Sequence, residues 1–279
     1  MQKRVLAIND ISCVGRCSLT VALPIISASG VECSILPTSI LSNHTAFPNY
    51  SFLDLTEEMS LIADKWEKLG RKYDYVYTGF LGSKEQIDVV GDIALKFKGD
   101  GKILVDPAMA DNGLMYKIFD LSFAEKMKEL CMKADIICPN ITEACFLTGI
   151  PYQEGPYTEE YINLLIGKLK ELGIKALVLT GVAYDEKHLG AISYDYLTGQ
   201  RSYYCREIID GYFHGTGDCF ASVLVSALVK GFDLAFATKL AVDFTVDSII
   251  ATLKYDGVDK NYGVAFEEVL PKLVGELNG

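Results

Sequence analysis

Histidine is scarce in this chain, and its scarcity limits the metal chemistry that the sequence can support. Only three of the 279 residues are histidines, namely His44, His188 and His214. Eight cysteines are present, but none forms a Cys-x-x-Cys pair, and Cys13 and Cys17 are separated by three residues. These spacings do not match the ligand patterns of zinc sites. We therefore expect scattered, reduced thiols and no zinc cluster.

Two glycine motifs that commonly bind nucleotides are also missing. The chain contains no Gly-x-x-x-x-Gly-Lys-Ser/Thr sequence, which excludes a P-loop nucleotide hydrolase. No Gly-x-Gly-x-x-Gly sequence follows the first predicted strand, Val5–Asn9, which argues against a Rossmann dinucleotide enzyme.

Basic residues are outnumbered, and long apolar runs are absent. The chain has 26 Lys and Arg against 37 Asp and Glu, a formal net charge of −11, whereas nucleic-acid binders carry basic surfaces. Met1–Arg4 leads into a short apolar run, Val5–Ile8, that is too short for a signal-peptide core or a membrane span. We expect a cytoplasmic protein that binds neither nucleic acid nor membrane.

Short β-branched runs alternate with helical patterns along most of the chain. The predicted strands are Val5–Asn9, Val31–Leu36, Tyr75–Thr78, Lys102–Val105, Asp135–Cys138 and Ala176–Thr180. The predicted helices are Ser18–Ser29, Thr56–Gly70, Lys84–Phe97, Phe123–Met132, Ile141–Thr148 and Thr158–Leu172, followed by a hairpin (Gly190–Tyr194 and Arg201–Arg206) and the helices Gly217–Lys230, Asp233–Leu253 and Ala265–Leu277. This order predicts an α/β fold, with a mostly parallel central sheet covered by helices on both faces. No linker, repeat or low-complexity tract appears, so we expect a single domain over residues 1–279.

Polar residues and glycines stand where most of the predicted strands end. They are Asn9–Ser12, Ser42–Thr45, Thr78-Gly79, Asp106-Pro107, Pro139-Asn140, Thr180-Gly181 and, further along, His214–Asp218. Ligands of open α/β sheets bind beyond the carboxyl ends of the strands. The pattern therefore predicts a site along one edge of the sheet.

The segment His214–Ser222 is the most informative of these. Gly215 and Gly217 let the backbone approach a ligand, and the helix that follows presents free N–H groups at its positive end, so an anion such as phosphate fits there. Asp218 beside a phosphate is unfavourable unless it holds the hydroxyl that attacks the phosphorus. In the alternative, Thr216 is only a helix cap and Asp218 complements the helix dipole. The other polar strand ends favour a small-molecule kinase.

Two further acidic segments fit the same chemistry. Pro107 stiffens the loop after Asp106, whose carboxylate could meet a cation or the phosphates, as could Asp111. The alternative is an Asp-Pro turn with a solvated Asp111. Asn140 and Glu143 match a helix capping box, but they also suit a Mg²⁺ ion that bridges ATP phosphates. Both roles can hold together.

Taken together, these segments resemble the ribokinase-like superfamily and, within it, the pyridoxal (vitamin B6) kinases. The resemblance covers nearly the whole chain and rests on Ser42–Thr45, Thr78–Ser83, Asp106-Pro107 with Asp111, Asp135–Asn140 with Glu143, and Gly215–Asp218. It implies a three-layer ribokinase-like fold without a separate lid domain. It also implies ATP-dependent phosphorylation of the 5′-hydroxymethyl group of pyridoxal, pyridoxine or pyridoxamine with Mg²⁺, by a homodimer.

The resemblance also implies roles for individual residues. Asp218 would be the catalytic base, and Gly215, Thr216 and Gly217 would bind the transferred phosphoryl group. The nucleotide would be bound by Asp106, Asp111, Tyr116, Asn140, Glu143, Thr180 and Gly181, with Asp106 and Glu143 as Mg²⁺ ligands and a monovalent cation such as K⁺ beside Thr180. His44 and Thr45 would face the pyridine ring.

The sequence departs from the family pattern in two places. Phe80 stands where these kinases often have tyrosine, which removes a hydroxyl from the substrate side. The first loop is about one residue shorter than usual, so the family's ring-contacting serine corresponds to Asp10 or to Ser12. If Asp10 faces the ring, its carboxylate would favour the cationic amine of pyridoxamine.

Two other functions compete with this interpretation. The hydroxymethylpyrimidine (phosphate) kinases of thiamine synthesis share the fold but tend to carry cysteine where Asp218 stands. Here the cysteine is displaced by one position, to Cys219, and the aspartate is retained. The second competitor is a non-catalytic ligand-binding protein on the same fold. It is disfavoured because Asp106, Glu143 and Asp218 are all present.

Overall fold

The computed structural model describes residues 2–255, 257 and 259–278. Its strands are β1 (Arg4–Ser12), β2 (Glu32–Leu41), β3 (Phe52–Asp54), β4 (Tyr75–Thr78), β5 (Lys102–Val105), β6 (Ala110–Asp111), β7 (Leu114–Met115), β8 (Ile136–Ile137), β9 (Ala176–Val182), β10 (His188–Asp195) and β11 (Arg201–Glu207). Its helices are α1 (Leu19–Ala28), α2 (Thr56–Lys68), α3 (Lys84–Phe97), α4 (Leu121–Lys133), α5 (Ile141–Thr148), α6 (Glu159–Lys170), α7 (Thr216–Val229), α8 (Leu234–Thr252) and α9 (Leu270–Asn278). Among these residues, no helix is both long and apolar enough to cross a bilayer.

The central sheet of the described chain has nine strands in the order β11-β10-β9-β8-β5-β4-β1-β2-β3. The six strands from β9 to β2 in this order pair in parallel, whereas β3, β10 and β11 pair antiparallel at the two edges. The order reverses at β1, which pairs with β2 on one side and with β4 on the other. A crevice opens beyond the carboxyl ends of the strands at such a reversal.

Helices cover both faces of the sheet and enclose two apolar cores. Helices α2 to α6 pack on one face, and α1, α7, α8 and α9 pack on the other. Strand β1 contributes to both cores, because Leu6 and Ile8 point into the first and Val5 and Ala7 into the second. This two-sided burial explains why the strand is a continuous apolar run. The predicted fold class, without a separate lid in the described residues, is confirmed.

Several observed elements differ from the predicted ones, and strand β2 ends at Leu41, five residues beyond the predicted end at Leu36. Strand β1 continues three residues beyond Asn9, with a register shift between Asn9 and Ile11, so Asp10 and Ser12 lie in the strand rather than in a loop. Strand β3 and the β6–β7 hairpin were not predicted, because three exposed residues or two-residue strands leave no periodic pattern. The predicted helix Ala265–Leu277 is instead a 3₁₀ turn (Phe266–Glu268) followed by α9, whose first turn accommodates Pro271.

Candidate active site

The polar ends of the parallel strands meet at one edge of the sheet, as predicted. The Asn9 side-chain amide at β1 donates to Asp218 in α7 at 3.3 Å, although the two residues are 209 positions apart. The backbone N–H of Asp106 donates to the Thr78 carbonyl at 2.9 Å. Asn140 and Thr180 form an isolated parallel bridge between the next two strand ends.

The turn before α7 leaves the first N–H groups of that helix free to bind an anion. Gly215 occupies the N-cap position in the left-handed conformation, with φ of 74°, and no side chain of the described residues caps the helix. Thr216 is the first helical residue, and its hydroxyl donates backward to the Phe213 carbonyl at 3.2 Å. The alternative in which Thr216 is the helix cap is therefore wrong. The geometry is that of a phosphate-binding helix N-terminus.

Close packing of the β1–α1 loop against this turn requires glycine. A Cβ atom on Gly215 would lie 2.0 Å from the carbonyl oxygen of Arg16, and one on Gly263 would lie 2.5 Å from the same atom. Arg16 also donates its backbone N–H to the Tyr262 carbonyl at 2.9 Å. The loop between β1 and α1, which lies near the start of the sequence, thus holds this turn in place.

Asp218 is partly buried, and the Asn9 amide donates a hydrogen bond to its carboxylate. The backbone N–H of Ser18, directly before α1, also faces the carboxylate and lowers its pKa. Burial raises the pKa of Asp218 to about 6, and the neighbouring Asp10 carboxylate adds to that effect. A carboxylate with a pKa close to neutral is better suited to accept a proton from a hydroxyl group than an ordinary aspartate.

Asn9 lies in one of the polar strand ends that the sequence marks, Asn9–Ser12, but neither the pattern nor the family resemblance assigned it a role. Its Oδ1 accepts hydrogen bonds from the backbone N–H groups of Phe80, at 2.9 Å, and Asp10, at 3.0 Å, which leaves the amide directed at Asp218. Gly79 makes room for it, since a Cβ there would lie 2.2 Å from Asn9 Nδ2. Its sequence signal is a polar residue directly after the apolar run Val5–Ile8, and the structure shows that this residue is fully buried.

The two candidates for the family's ring-contacting serine are bound to each other. Asp10 is only 4 % exposed, and its Oδ2 accepts a hydrogen bond from the Ser12 hydroxyl at 3.1 Å. Its Oδ1 accepts one from the Ser18 hydroxyl at 2.5 Å. Both oxygens of the Asp10 carboxylate are therefore occupied within the protein, which weakens the idea that Asp10 selects a cationic amine.

His44 is buried in a group of aromatic rings beside the turn His214–Asp218, which we call the anion turn. Its ring lies 4.6 Å from that of His214 and 4.7 Å from that of Phe47, between ring centroids. Its Nδ1 accepts the Ala46 N–H at 3.2 Å, so its Nε2 donates to the Asn261 carbonyl. Both nitrogens are thus engaged, and His44 can meet a ligand only through its carbon atoms.

Thr45 and Phe80, the other residues predicted on the substrate side, follow strands that lie on either side of β1. Thr45 is exposed in the loop after β2. Phe80, which follows β4, packs against Phe119 with their ring centroids 5.7 Å apart. The Phe80 backbone thus lies beside the Asn9 side chain that contacts Asp218.

Glu143 forms the predicted capping box at the start of α5. Its Oε2 accepts the Asn140 N–H at 2.9 Å, and Asn140 Oδ1 accepts the Glu143 N–H at 2.8 Å. Its Oε1 accepts the Met109 N–H at 3.1 Å, which ties α5 to the loop after β5. Glu143 is only 3 % exposed, and burial raises its pKa to about 8 against the opposing effect of these donors.

Three carboxyl groups face one another across the site without a basic partner. Burial raises the pKa of Asp106 well above its ordinary value, and Glu143 and then Asp218 raise it further. Within the described ranges, no ion pair involves any of the three, and no group of three or more His, Cys, Asp and Glu side chains could hold a metal by itself. Mg²⁺ prefers hard oxygens and keeps several water molecules. Because both Glu143 oxygens already accept backbone N–H groups, the residues fit that ion through bridging water and phosphate oxygens.

The remaining proposed nucleotide residues lie along the same edge of the sheet. Tyr116 lies near Glu143 and Asp111, and Asp111 also neighbours Tyr212, which precedes the anion turn. The Thr180 hydroxyl donates to the Pro139 carbonyl at 3.4 Å, and Gly181 after it has φ of 75°. Tyr212 joins the β6–β7 hairpin to the anion turn, a contact that no local pattern could predict.

Known proteins that match this chain are small-molecule kinases. Residues 33–263 match the family model described as phosphomethylpyrimidine kinase. The crystal structure of a Bacteroides thetaiotaomicron protein that is assigned to the phosphomethylpyrimidine kinases superposes with a TM-score of 0.93 at 37% identity, covering 98% of this chain and 94% of that one. A second crystal form of that protein contains pyridoxal and superposes with a TM-score of 0.92.

Pyridoxal kinases are similar over almost the same length. The structure of the Lactobacillus plantarum pyridoxal kinase has a TM-score of 0.88 and 28% identity, covering 99% of this chain and 98% of that one. The Dictyostelium discoideum pyridoxal kinase is 26% identical over 270 residues, which is 90% of this chain and 87% of that enzyme.

Proposed function

The chain belongs to the phosphomethylpyrimidine kinase family, and from that premise we propose that it transfers phosphate from ATP to the 5′-hydroxymethyl group of vitamin B6. The family identifies a small-molecule kinase. The choice of acceptor rests on Asp218, an aspartate where the thiamine-pathway relatives tend to carry cysteine. The pyridoxal in the crystals of the 37% identical Bacteroides thetaiotaomicron protein supports the same acceptor.

The observation that carries the proposal is the position of Asp218 at the free N-terminus of α7. Asn9 and Ser18 hold the carboxylate, and the uncapped N–H groups beside Gly215 and Thr216 are directed toward an incoming phosphoryl group. A hydroxyl bound to Asp218 would therefore lie next to the phosphorus that it attacks. Such positioning supplies much of the catalysis in phosphoryl transfer.

The proposed reaction is an in-line attack of the hydroxymethyl oxygen on the γ-phosphorus of ATP. Asp218 orients the hydroxyl and accepts its proton as the new O–P bond forms and the bond to the ADP oxygen breaks. The N–H groups of the anion turn stabilise the charge on the transferred oxygens. A carboxylate is a weak base for an alcohol, so we assign orientation a larger share of the rate than early proton removal.

We assign the nucleotide side of the cleft to the acidic and polar strand ends. Asp106 and Glu143 would hold Mg²⁺ through water and phosphate oxygens, with Tyr116 and Asn140 beside the phosphates. When it is bound, Mg²⁺ neutralises phosphate charge and screens the two carboxylates from each other. Thr180 and Gly181 would lie beside the nucleotide, and a K⁺ ion near Thr180 remains part of the proposal.

Assembly as a homodimer in the cytoplasm is also part of the proposal, on the basis of the resemblance to pyridoxal kinases. The mass of the particle in solution, measured by sedimentation velocity over a range of protein concentrations, tests the dimer directly. A single species at the 30.7 kDa mass of one chain would contradict it.

The decisive experiment is a measurement of ADP release with MgATP and four separate acceptors. These are pyridoxal, pyridoxine, pyridoxamine and hydroxymethylpyrimidine. Turnover of at least one B6 vitamer, faster than turnover of the pyrimidine, is the expected result. Preference for the pyrimidine would instead identify a thiamine-pathway kinase, and binding without any turnover would favour a ligand-binding protein.

A further inference from the structure

Ser18 has a backbone conformation that residues with a side chain rarely adopt. It lies between β1 and α1, with φ of 54° and ψ of −134°. Positive φ places the Cβ atom close to the backbone and is disfavoured for every residue except glycine. Such conformations persist only where the surroundings enforce them, and they are concentrated at functional sites.

Two polar groups of Ser18 are directed at two different carboxylates. Its hydroxyl donates to Oδ1 of Asp10, and its backbone N–H faces the Asp218 carboxylate, where it lowers the pKa of that group. Ser18 is buried, at 6 % exposure, and Asp10 is in turn held by Ser12 through its other oxygen. The hydroxyl bond fixes the side chain, which fixes the unusual φ and therefore the direction of the N–H.

The same strand supplies the second donor to Asp218. The Asp10 N–H donates to Asn9 Oδ1, and Asn9 donates its amide to Asp218 at 3.3 Å. Asp10 thus connects to both donors, through its side chain to Ser18 and through its backbone to Asn9. It acts on the reacting carboxylate without touching it.

We propose that Ser18 is a positioning residue, which Asp10 holds at positive φ so that the Ser18 N–H aims the Asp218 carboxylate at the acceptor hydroxyl. The proposal rests on the function proposed above, in which Asp218 orients that hydroxyl. In this arrangement the backbone N–H of Ser18 is the working group, and its hydroxyl serves only as the anchor. Asp10 is an internal support, not a contact to the pyridine ring.

Two substitutions of Ser18 separate the contribution of its hydroxyl from that of its backbone N–H. Ser18→Ala removes the hydroxyl and keeps the cost of positive φ, so the segment should relax and turn its N–H away. Ser18→Gly also removes the hydroxyl, but glycine adopts positive φ without strain and can keep the N–H in place. We expect kcat to fall on the order of 10²-fold in Ser18→Ala and about tenfold in Ser18→Gly, with KM for ATP within about threefold of the wild type.

A matched control removes a neighbouring hydroxyl that does not reach either carboxylate. The Thr20 hydroxyl donates only to the backbone carbonyls of Cys17, at 2.7 Å, and Gly15, at 3.2 Å. Thr20→Val should leave kcat within about threefold of the wild type. Ser18→Gly as slow as Ser18→Ala, or Ser18→Ala as fast as the wild type, would overturn the proposal.

Crystal structures of the two variants decide the matter without any assay. In the Ser18→Ala protein, φ of residue 18 should become negative and its N–H should no longer contact Asp218, whereas both features should survive in Ser18→Gly. Retention of positive φ and of the N–H contact in Ser18→Ala would refute the anchoring role. If the wild type phosphorylates none of the four acceptors, the proposed function fails, and these structures still decide whether Asp10 anchors Ser18.

Discussion

At the scale of single residues, the surroundings of Asp218 turn an ordinary side chain into a plausible reaction partner. An exposed aspartate would be fully ionised and weakly basic at neutral pH. Partial burial and the nearby Asp10 carboxylate raise the pKa of Asp218 to about 6, while the Ser18 N–H and the Asn9 amide favour its ionised form. The outcome is an oriented carboxylate whose basicity is higher than usual.

Replacement of this carboxylate by an amide should remove most of the turnover. Asp218→Asn keeps the size and the hydrogen bond to Asn9 but cannot accept a proton. We expect kcat to fall by roughly 10²–10⁴-fold in ADP-release assays, with an unchanged circular dichroism spectrum. Asp100→Asn, an exposed substitution in the turn after α3, is the matched control and should leave kcat unaffected. Near wild-type turnover of Asp218→Asn would remove Asp218 from the mechanism.

The raised pKa also predicts how activity depends on pH. Only ionised Asp218 can accept the hydroxyl proton. With saturating MgATP, where bound Mg²⁺ keeps Asp106 and Glu143 ionised, kcat should therefore be constant above pH 7 and should fall as pH drops through about 6. An ordinary aspartate would keep nearly full activity down to about pH 5. Rate measurements from pH 5 to 8 test this, with the residual activity of Asp218→Asn as a reference that should lack the decline. A flat wild-type profile down to pH 5 would contradict the assignment.

At the scale of elements, the site depends on how strand and helix ends are shaped. The register shift in β1 between Asn9 and Ile11 lets Asn9 reach Asp218 while Asp10 reaches Ser18. Irregularities of this kind commonly redirect side chains next to active sites. At α7, the left-handed Gly215 leaves the helix uncapped, whereas α5 is closed by its Asn140–Glu143 capping box.

A pair of glycine substitutions should separate backbone conformation from close packing at the anion turn. Gly215 and Gly199 have φ of 74° and 75°, but a Cβ on Gly215 would lie 2.0 Å from the Arg16 oxygen, whereas one on Gly199 would have no atom within 4 Å. We expect Gly199→Ala to lower the free energy of unfolding by about 1 kcal/mol and Gly215→Ala by about 2–4 kcal/mol. Urea denaturation measures both losses of stability, provided that the slope of the unfolding free energy against urea concentration is the same in each variant as in the wild type. Equal losses of unfolding free energy in the two variants would show that close packing against Arg16 adds nothing to the cost of Gly215→Ala.

At the scale of the whole molecule, the parallel sheet gathers residues from most of the sequence into one cleft. The ends of β1, β4, β5, β8 and β9 contribute side chains, and α7 adds the anion turn. The positions of these six segments are thus set by the sheet that carries them. A ligand that binds several of them at once will favour the folded state.

Binding of the nucleotide should therefore stabilise the protein measurably. At a ligand concentration 100 times Kd, linkage predicts about 2.7 kcal/mol, or a rise in Tm on the order of 5 °C for a chain of this length. Differential scanning calorimetry with MgATP measures it. ATP with excess EDTA should give a smaller rise, because Asp106 and Glu143 then face the phosphates without a cation. An equal rise in both conditions would argue against those two residues as Mg²⁺ ligands.

The sequence by itself determined the fold class, most of the sheet and the position of the site. Buried parallel strands are continuous apolar runs, and the polar residues that follow them are visible because they interrupt that pattern. The glycines and Asp218 of the anion turn, and the capping box of Asn140 and Glu143, are local patterns whose chemistry needs no tertiary information.

Only the tertiary structure decided which polar groups are free and which are engaged. Asp10 and Ser12 were alternatives for one ring contact, yet they bind each other, and both nitrogens of His44 are used within the protein. Asn9 and Ser18 gave no sequence signal of their contacts with Asp218. Hydrogen-bond partners separated by up to 209 positions are set by how the strands align, which no local pattern records.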